Sequence, residues 1–263
     1  AFESGLDKVA RTGNAWVFSG GTDAGVMKLT GEAMPEHVTA VGVAPWGVIS
    51  GRDELLRADS TSTQSLRSEG GAQAQYSKAG CSCARNRFMR VALEHHHTHF
   101  LLFDGEPGVF DSDRLWATEV PLRNAVEVAL CKHFTIPRVL VVVNGGPGTL
   151  KTVRESVEHG CPVVLLAGSG GAAQNIATYL QTSQAGASTP AAHDGLDPQF
   201  NKEEYQEELA KIHKCSKESG VVHVFELTEA SVSDFDHALL RAILEGRAKS
   251  HTRGSLQLAV RWQ

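Results

Sequence analysis

Three times the sequence runs from a short apolar segment into a cluster of glycines and then into a helical pattern. Phe18 is followed by Ser19-Gly20-Gly21-Thr22-Asp23-Ala24-Gly25, Val143 by Asn144-Gly145-Gly146-Pro147-Gly148-Thr149, and Ala167 by Gly168-Ser169-Gly170-Gly171. The apolar segments are short and uniformly apolar, which suits strands buried on both faces better than half-exposed ones. Strand, glycine turn and helix in repetition point to parallel strands covered by helices.

The rest of the chain keeps this alternation. Candidate strands fall at 15–18, 39–43, 99–103, 139–143, 163–167 and 221–225, and candidate helices at 26–37, 121–134, 150–159, 172–182, 202–218 and 232–244. The fold class expected is α/β: Rossmann-like and doubly wound, with a mainly parallel sheet and helices on both faces. Two stretches break the pattern. Residues 51–90 are rich in Ser, Gly, Gln and charge and read as a surface insertion, and 184–200 read as an Ala/Ser/Pro/Gly loop. Residues 1–250 are taken as one domain, and the apolar end of 251–263 (HTRGSLQLAVRWQ) as a final helix or the first turns of a following one.

The 263 residues carry a net charge of −5, so the surface as a whole does not suit nucleic acid or anionic lipid, and an anionic ligand needs a local feature. No apolar run approaches the roughly 18 residues of a membrane span. The opening AFESGLDKVARTG has no signal-peptide core, and its start without Met suggests an excised piece. Five cysteines (Cys81, Cys83, Cys131, Cys161, Cys215), odd in number and loosely spaced, fit a reducing compartment better than a disulfide framework.

The carboxyl edge of a parallel sheet is where open α/β folds take ligands. A helix N-terminus offers unpaired N–H groups and partial positive charge, and glycine lets backbone approach a phosphate. One such loop is equally a plain tight turn; three at one edge form a cradle for a phosphate-bearing ligand. None is a Walker loop, since no Gly-Lys-Ser/Thr follows, and none gives GxGxxG after the first strand.

Six motifs in this order carry a family resemblance: AWVFSGGTDAGVMK (15–28), VGVAPWG (41–47), HTHFLLFDG (97–105), EVPLR (119–123), NGGPGTL (144–150) and PVVLLAGSG (162–170). Together they resemble the N-terminal cytosolic homology region of melastatin-type transient receptor potential channels, a SLOG domain, and within that family most of all the ADP-ribose-gated member. The resemblance implies a sensor domain on the cytosolic side of a tetrameric, calcium-permeable cation channel, partnered by neighbouring domains and subunits and not itself inserted in the membrane. It implies ADP-ribose or a related adenine nucleotide as ligand, with no cofactor. The implied ligand-binding residues are Gly20, Gly21, Thr22, Gly25, Val26, Met27, Lys28 and Ala44 on one wall. Asn144, Gly145, Gly146, Pro147, Gly148 and Thr149 face phosphate or ribose, and Gly168, Ser169, Gly170 and Gly171 close the far side. Trp116 falls where an aromatic stacks on adenine, and Arg123 where an arginine holds phosphate; indole and guanidinium suit those tasks. From the residues alone, Trp116 is equally a half-buried surface aromatic and Arg123 a helix cap. One departure stands out: the family's GSGR reads GSGG here, so Gly171 replaces a second phosphate-binding arginine. Lys28 is a candidate to compensate, and Asp23 suits a ribose hydroxyl better than a phosphate.

The enzymes this domain resembles in fold and loop are the cytokinin-activating phosphoribohydrolases, whose loop continues GGxGTxxE. Thr152 stands where that catalytic Glu would be, and a hydroxyl is no general base at neutral pH. The expectation is a binding domain without catalytic residues, although Asp23, Asp104 and Glu119 remain as acids near the edge. Nucleotide N-glycosidase and ligand-free assembly domain are the alternatives. The run His95-His96-His97-Thr98-His99, with Cys81 and Cys83 upstream, invites a metal reading. On a strand His95 and His97 share a face and His96 does not. The spacing matches no standard zinc site, so a solvated cluster without metal is expected.

Overall fold

The structure, a computed structural model, describes residues 2–13, 15–51, 55, 90–104, 116–184, 197–200, 202–228 and 234–247. Most of the 51–90 insertion with Cys81 and Cys83, most of the 184–200 loop, and the 251–263 tail lie outside the described residues. The chain divides into two compact units, one of Leu6–Glu119 and one of Val120–Gln263 with Ala1–Gly5.

Helix α1 (Phe2–Gly13) opens the chain, and Leu6 and Ala10, one turn apart, are buried. In the Leu6–Glu119 unit, β1 (Val17–Ser19), β2 (Ala40–Pro45) and β3 (His99–Phe103) form a parallel sheet in that order, and α2 (Gly25–Ala33) connects β1 to β2. The register sets Phe18 beside Val41 and Val43 beside Leu101. All six residues of the central strand β2 are buried, as its uninterrupted AVGVAP run requires.

In the Val120–Gln263 unit, β4 (Leu140–Val143), β5 (Val163–Ala167) and β6 (Val222–Glu226) form a second parallel sheet in sequence order. The helices are α3 (Val120–Phe134), α4 (Gly148–Glu158), α5 (Gly171–Gln184), α6 (Glu203–Ser219) and α7 (Phe235–Arg247). One core joins Val142, Val163 and Leu165 to Leu150, Val153 and Val157 of α4, Ile176 and Leu180 of α5, and Leu209 and Ile212 of α6. Val164 and Leu166 alternate to the other face of β5 and are equally buried, and α7 packs on β5 and β6 with Leu239 and Ala242 buried. Helices therefore cover both faces of this sheet.

The expected α/β, Rossmann-like architecture is what forms, with the six strands hydrogen-bonded as two parallel sheets of three. All six candidate strands exist, and those at 99–103 and 163–167 have the expected bounds. Helix α2 stops at Ala33 rather than 37, because Pro35 disfavours helical backbone in the residue before it. Helix α1 was not anticipated. Among the described residues no helix is long and apolar enough to cross a membrane.

Candidate ligand-binding loops

The loop after β1 is tied down by its own unit. The Ser19 hydroxyl accepts the Gly21 N–H (2.9 Å) and lies 2.7 Å from His97 Nε2, and His97 Nδ1 lies 2.8 Å from the Glu94 carboxylate. With Nδ1–H donating to Glu94, Nε2 accepts the Ser19 O–H, and the whole relay is satisfied with a neutral imidazole. Burial pushes the His97 imidazole below its usual range despite the carboxylate beside it. Burial alone would raise the Glu94 carboxyl, but hydrogen bonds from His96 and His97 outweigh it and hold it low. The loop backbone is also paired: Asp23 N–H donates to Ala92 (2.8 Å), Glu94 N–H to Gly21 (2.9 Å), and Thr22 forms an isolated bridge with Leu93.

Sequence-predicted residues in this loop consequently have packing partners. Gly21 has φ +64, and a Cβ there would lie 2.5 Å from Gly42 Cα in β2. Thr22 is fully buried, its hydroxyl donating to Met27 Sδ at 3.2 Å. A side chain at Gly20 would meet that same sulfur. The Val26 carbonyl accepts the Thr30 hydroxyl, and Ala44 is buried in a cluster with Val48, Ile49 and Leu93. Lys28 lies 3.7 Å from Asp23 and 3.8 Å from Glu32. Gly25 opens α2, whose N-cap, Ala24, has no side-chain acceptor to offer.

The loops after β4 and β5 interlock. Ala172 N–H donates to Gly145 (2.7 Å) and Ala173 N–H to Asn144 (3.0 Å), so carbonyls of one glycine loop cap the helix that follows the other. Asn144 N–H donates to the Ser169 hydroxyl (2.8 Å), which itself donates to Leu166 (2.6 Å). Gly168 N–H donates to Gln174, and the buried Asn175 amide donates to Gly171. Gly171 has φ +53, and a Cβ there would overlap the Gly145 carbonyl oxygen and Asn144. The departure from GSGR is thus part of the packing: on this backbone an arginine at 171 has no room. Gly170 has space around it, its built Cβ 3.9 Å from Asn144.

The second loop keeps donors in hand. Thr149 and Leu150 N–H groups turn back to Gly146 and Pro147, but the N–H groups of Gly145 and Gly146 make no bond among the described residues. Gly146 is exposed with nothing within 4 Å of a built Cβ. Helix α4 begins at Gly148 with Pro147 at its N-cap and no side-chain cap, so its dipole end is uncompensated. A side chain on Gly145 would collide with the Thr149 hydroxyl, which is held over the loop.

Arg123 reaches the same helix. The neighbouring Asn124 is buried and lies 3.2 Å from His159, just past the end of α4, and it accepts from Arg138 (2.7 Å); this holds α3 against α4. Arg123 Nη2 then donates to Thr152 Oγ1 at 3.2 Å, with Nε 3.7 Å from Glu127. Its side chain is 14% exposed. Burial raises the Glu127 carboxyl although Arg123 and Arg138 both oppose it. Trp116 belongs to the other unit, where it is 37% exposed and precedes Ala117 in left-handed backbone (φ 66).

The histidine run departs from its strand reading. Residues 94–98 form a turn ahead of β3, so alternation does not apply. His97 points inward to Ser19, while His95 and His96 both approach Glu94, at 3.6 and 2.7 Å. The overlooked residue is Glu94, 1% exposed, which organises all three imidazoles. Its place directly before three histidines was the available signal.

The family model described as SLOG in TRPM matches residues 1–211. Mouse transient receptor potential cation channel subfamily M member 2 is 28% identical over 298 residues, covering 99% of this chain and 18% of the relative. Mouse subfamily M member 1 is 30% identical over 286 residues (99% and 16%), and subfamily M member-like 2 of Nematostella vectensis 27% over 293 residues (99% and 18%). The chain spans less than a fifth of the length of these curated relatives. The family model matches well over half of the residues, and this chain belongs to the SLOG domains of TRPM proteins.

Proposed function

We propose that the chain is the ligand-sensing domain of a TRPM-type cation channel, binding ADP-ribose or a related adenine nucleotide on its cytosolic side. The observation that carries this reading is the mouth of α4. Among the described residues the Gly145 and Gly146 N–H groups have no partner, they lead into a helix N-terminus without a side-chain cap, and Arg123 bonds Thr152 on that same helix. Such a group of donors suits a phosphate: backbone dipoles and one fixed charge supply attraction that the −5 net charge does not. Trp116, exposed in its own unit, is the residue the family pattern assigns to adenine. The chain acts by binding rather than by chemistry, since Thr152 occupies the carboxylate position of the hydrolases and its hydroxyl is engaged by Arg123. In the intact channel, nucleotide would stabilise one of two arrangements with neighbouring domains and subunits and so bias gating.

The test is calorimetric titration of the purified chain with ADP-ribose, AMP and NAD, alongside Arg123→Ala and Trp116→Ala, with the mixtures chromatographed for cleavage. Saturable binding of intact ADP-ribose, weakened about 10- to 100-fold in Arg123→Ala, is expected, since a charge-assisted bond contributes about 1.5–3 kcal/mol. Thermal melts of the variants separate lost binding from lost fold. Absence of binding at millimolar nucleotide overturns the sensor and favours an assembly role. Free base or ribose phosphate among the products overturns the non-enzymatic reading.

A further inference from the structure

The turn at residues 94–97 holds a cluster that the proposed function does not use. One ligand atom each from Glu94, His95 and His96 falls within 4.8 Å of the others. Glu94 Oε1 lies 2.7 Å from His96 Nδ1 and 3.6 Å from His95 Nδ1. In a tetrahedral site with bonds of about 2.0–2.1 Å, ligand atoms stand about 3.3 Å apart. The present spacings bracket that value, and small side-chain rotations reach it. The two imidazole rings lie side by side, centroids 3.9 Å apart with planes tilted by 37°.

The surroundings are those of a built site. Glu94 is 1% exposed and held from behind: His97 Nδ1 bonds its other oxygen at 2.8 Å, and His97 is fixed in turn by Ser19 at 2.7 Å. A carboxylate ligand whose second oxygen is held by a buried imidazole is oriented before any metal arrives. Its pocket depends on Gly31 of α2, since a Cβ there would collide with the carboxylate. His95 and His96 lie on the solvent side, 61% and 36% exposed, giving an entry path and room for water.

We infer that Glu94, His95 and His96 form a binding site for a divalent transition metal of the zinc class. Two imidazoles and one carboxylate favour zinc over calcium or magnesium, which prefer all-oxygen sets. Three protein ligands leave a fourth position for water. The site adjoins the first glycine loop, because Glu94 N–H also holds the Gly21 carbonyl at 2.9 Å. A bound ion would therefore brace that loop from its partner segment.

The experiment titrates the full chain with Co²⁺, read by its visible d–d absorption, and then displaces it with Zn²⁺. The variants are His95→Ala, His96→Ala and Glu94→Gln. The expected result is one Co²⁺ per chain, displaced by Zn²⁺, with affinity falling at least about tenfold in each histidine variant. Both histidines are solvent-facing, so these variants keep the fold even if Glu94→Gln does not, and thermal melts verify it. Absence of Co²⁺ binding, or binding unchanged in both histidine variants, overturns the inference; the second result would place the metal on other residues such as Cys81 and Cys83. Nucleotide titration is independent of this readout, so either proposal can fail alone.

Discussion

In the loop after β1, Gly21 lies against Gly42 and its N–H is taken by Ser19; in the loop after β4, Gly146 stands exposed and its N–H has no partner among the described residues. The two stretches look alike as sequence, each a Gly-Gly pair between an apolar strand and a helix. They differ in what surrounds them. The first is crossed by the 91–97 segment, whose backbone pairs with the Asp23 N–H and the Gly21 carbonyl and forms a bridge at Thr22. The second meets the loop after β5, to which it gives the Asn144 and Gly145 carbonyls and the Asn144 N–H, while among the described residues the Gly145 and Gly146 N–H groups have no partner. Glycine in the first loop permits close packing of backbone on backbone. In the second it leaves space that a ligand can enter.

The largest effect should come from Gly21→Ala. The new Cβ would sit 2.5 Å from Gly42 Cα, which cannot rotate away, on a backbone with φ +64. Positive φ and overpacking together cost about 2–4 kcal/mol, read as a lowered urea midpoint with an unchanged slope. A variant as stable as the parent would mean the first loop is as open as the second, and the contrast would collapse.

A smaller contrast lies in the two serines that anchor the loops. Ser19→Ala strands the Nε2 of the fully buried His97 and the Gly21 N–H, a loss of about 1–3 kcal/mol. Ser169→Ala frees the N–H of Asn144, which is exposed and can bond water, and takes one donor from the Leu166 carbonyl, which keeps the Ser169 N–H, so about 0.5–1 kcal/mol is expected. Equal losses in paired chemical denaturations would show that the second loop is sealed as tightly as the first.

These differences also explain what could be read in advance. Strand positions were legible because uniformly apolar segments such as VVLLA have one stable environment, burial on both faces, and β5 is buried at every residue. Helix α1 was missed: its short pattern is interrupted by Gly5 and was weighed only as a signal peptide. The division into two sheets was not legible, since pairing depends on contacts between distant segments and not on local pattern. At the site, the Gly145–Thr149 loop and Arg123 were found through motif and family resemblance, but the Arg123–Thr152 bond joins residues 29 apart in sequence. The role of Gly171 was hidden too, because only the folded Asn144–Gly145 carbonyls show why no side chain fits. For the histidines, strand alternation pairs His95 with His97, whereas the turn sets His95 and His96 together beside Glu94.

The smallest stability effect belongs to Gly146→Ala, and that makes it the sharpest probe. Its backbone lacks the positive φ of Gly145, and a built Cβ has nothing within 4 Å. Folding stability should therefore change by no more than about 0.5 kcal/mol, as for other open surface positions. If the proposed binding mode holds, nucleotide affinity should nonetheless fall, because a methyl group would stand beside the Gly145 and Gly146 N–H groups offered to phosphate. A variant that melts with the parent and binds ADP-ribose several-fold more weakly separates the two uses of glycine in one molecule. Unchanged affinity would remove the α4 mouth from the binding surface, and the free donors of Gly145 and Gly146 would then be ordinary solvent contacts of an exposed turn.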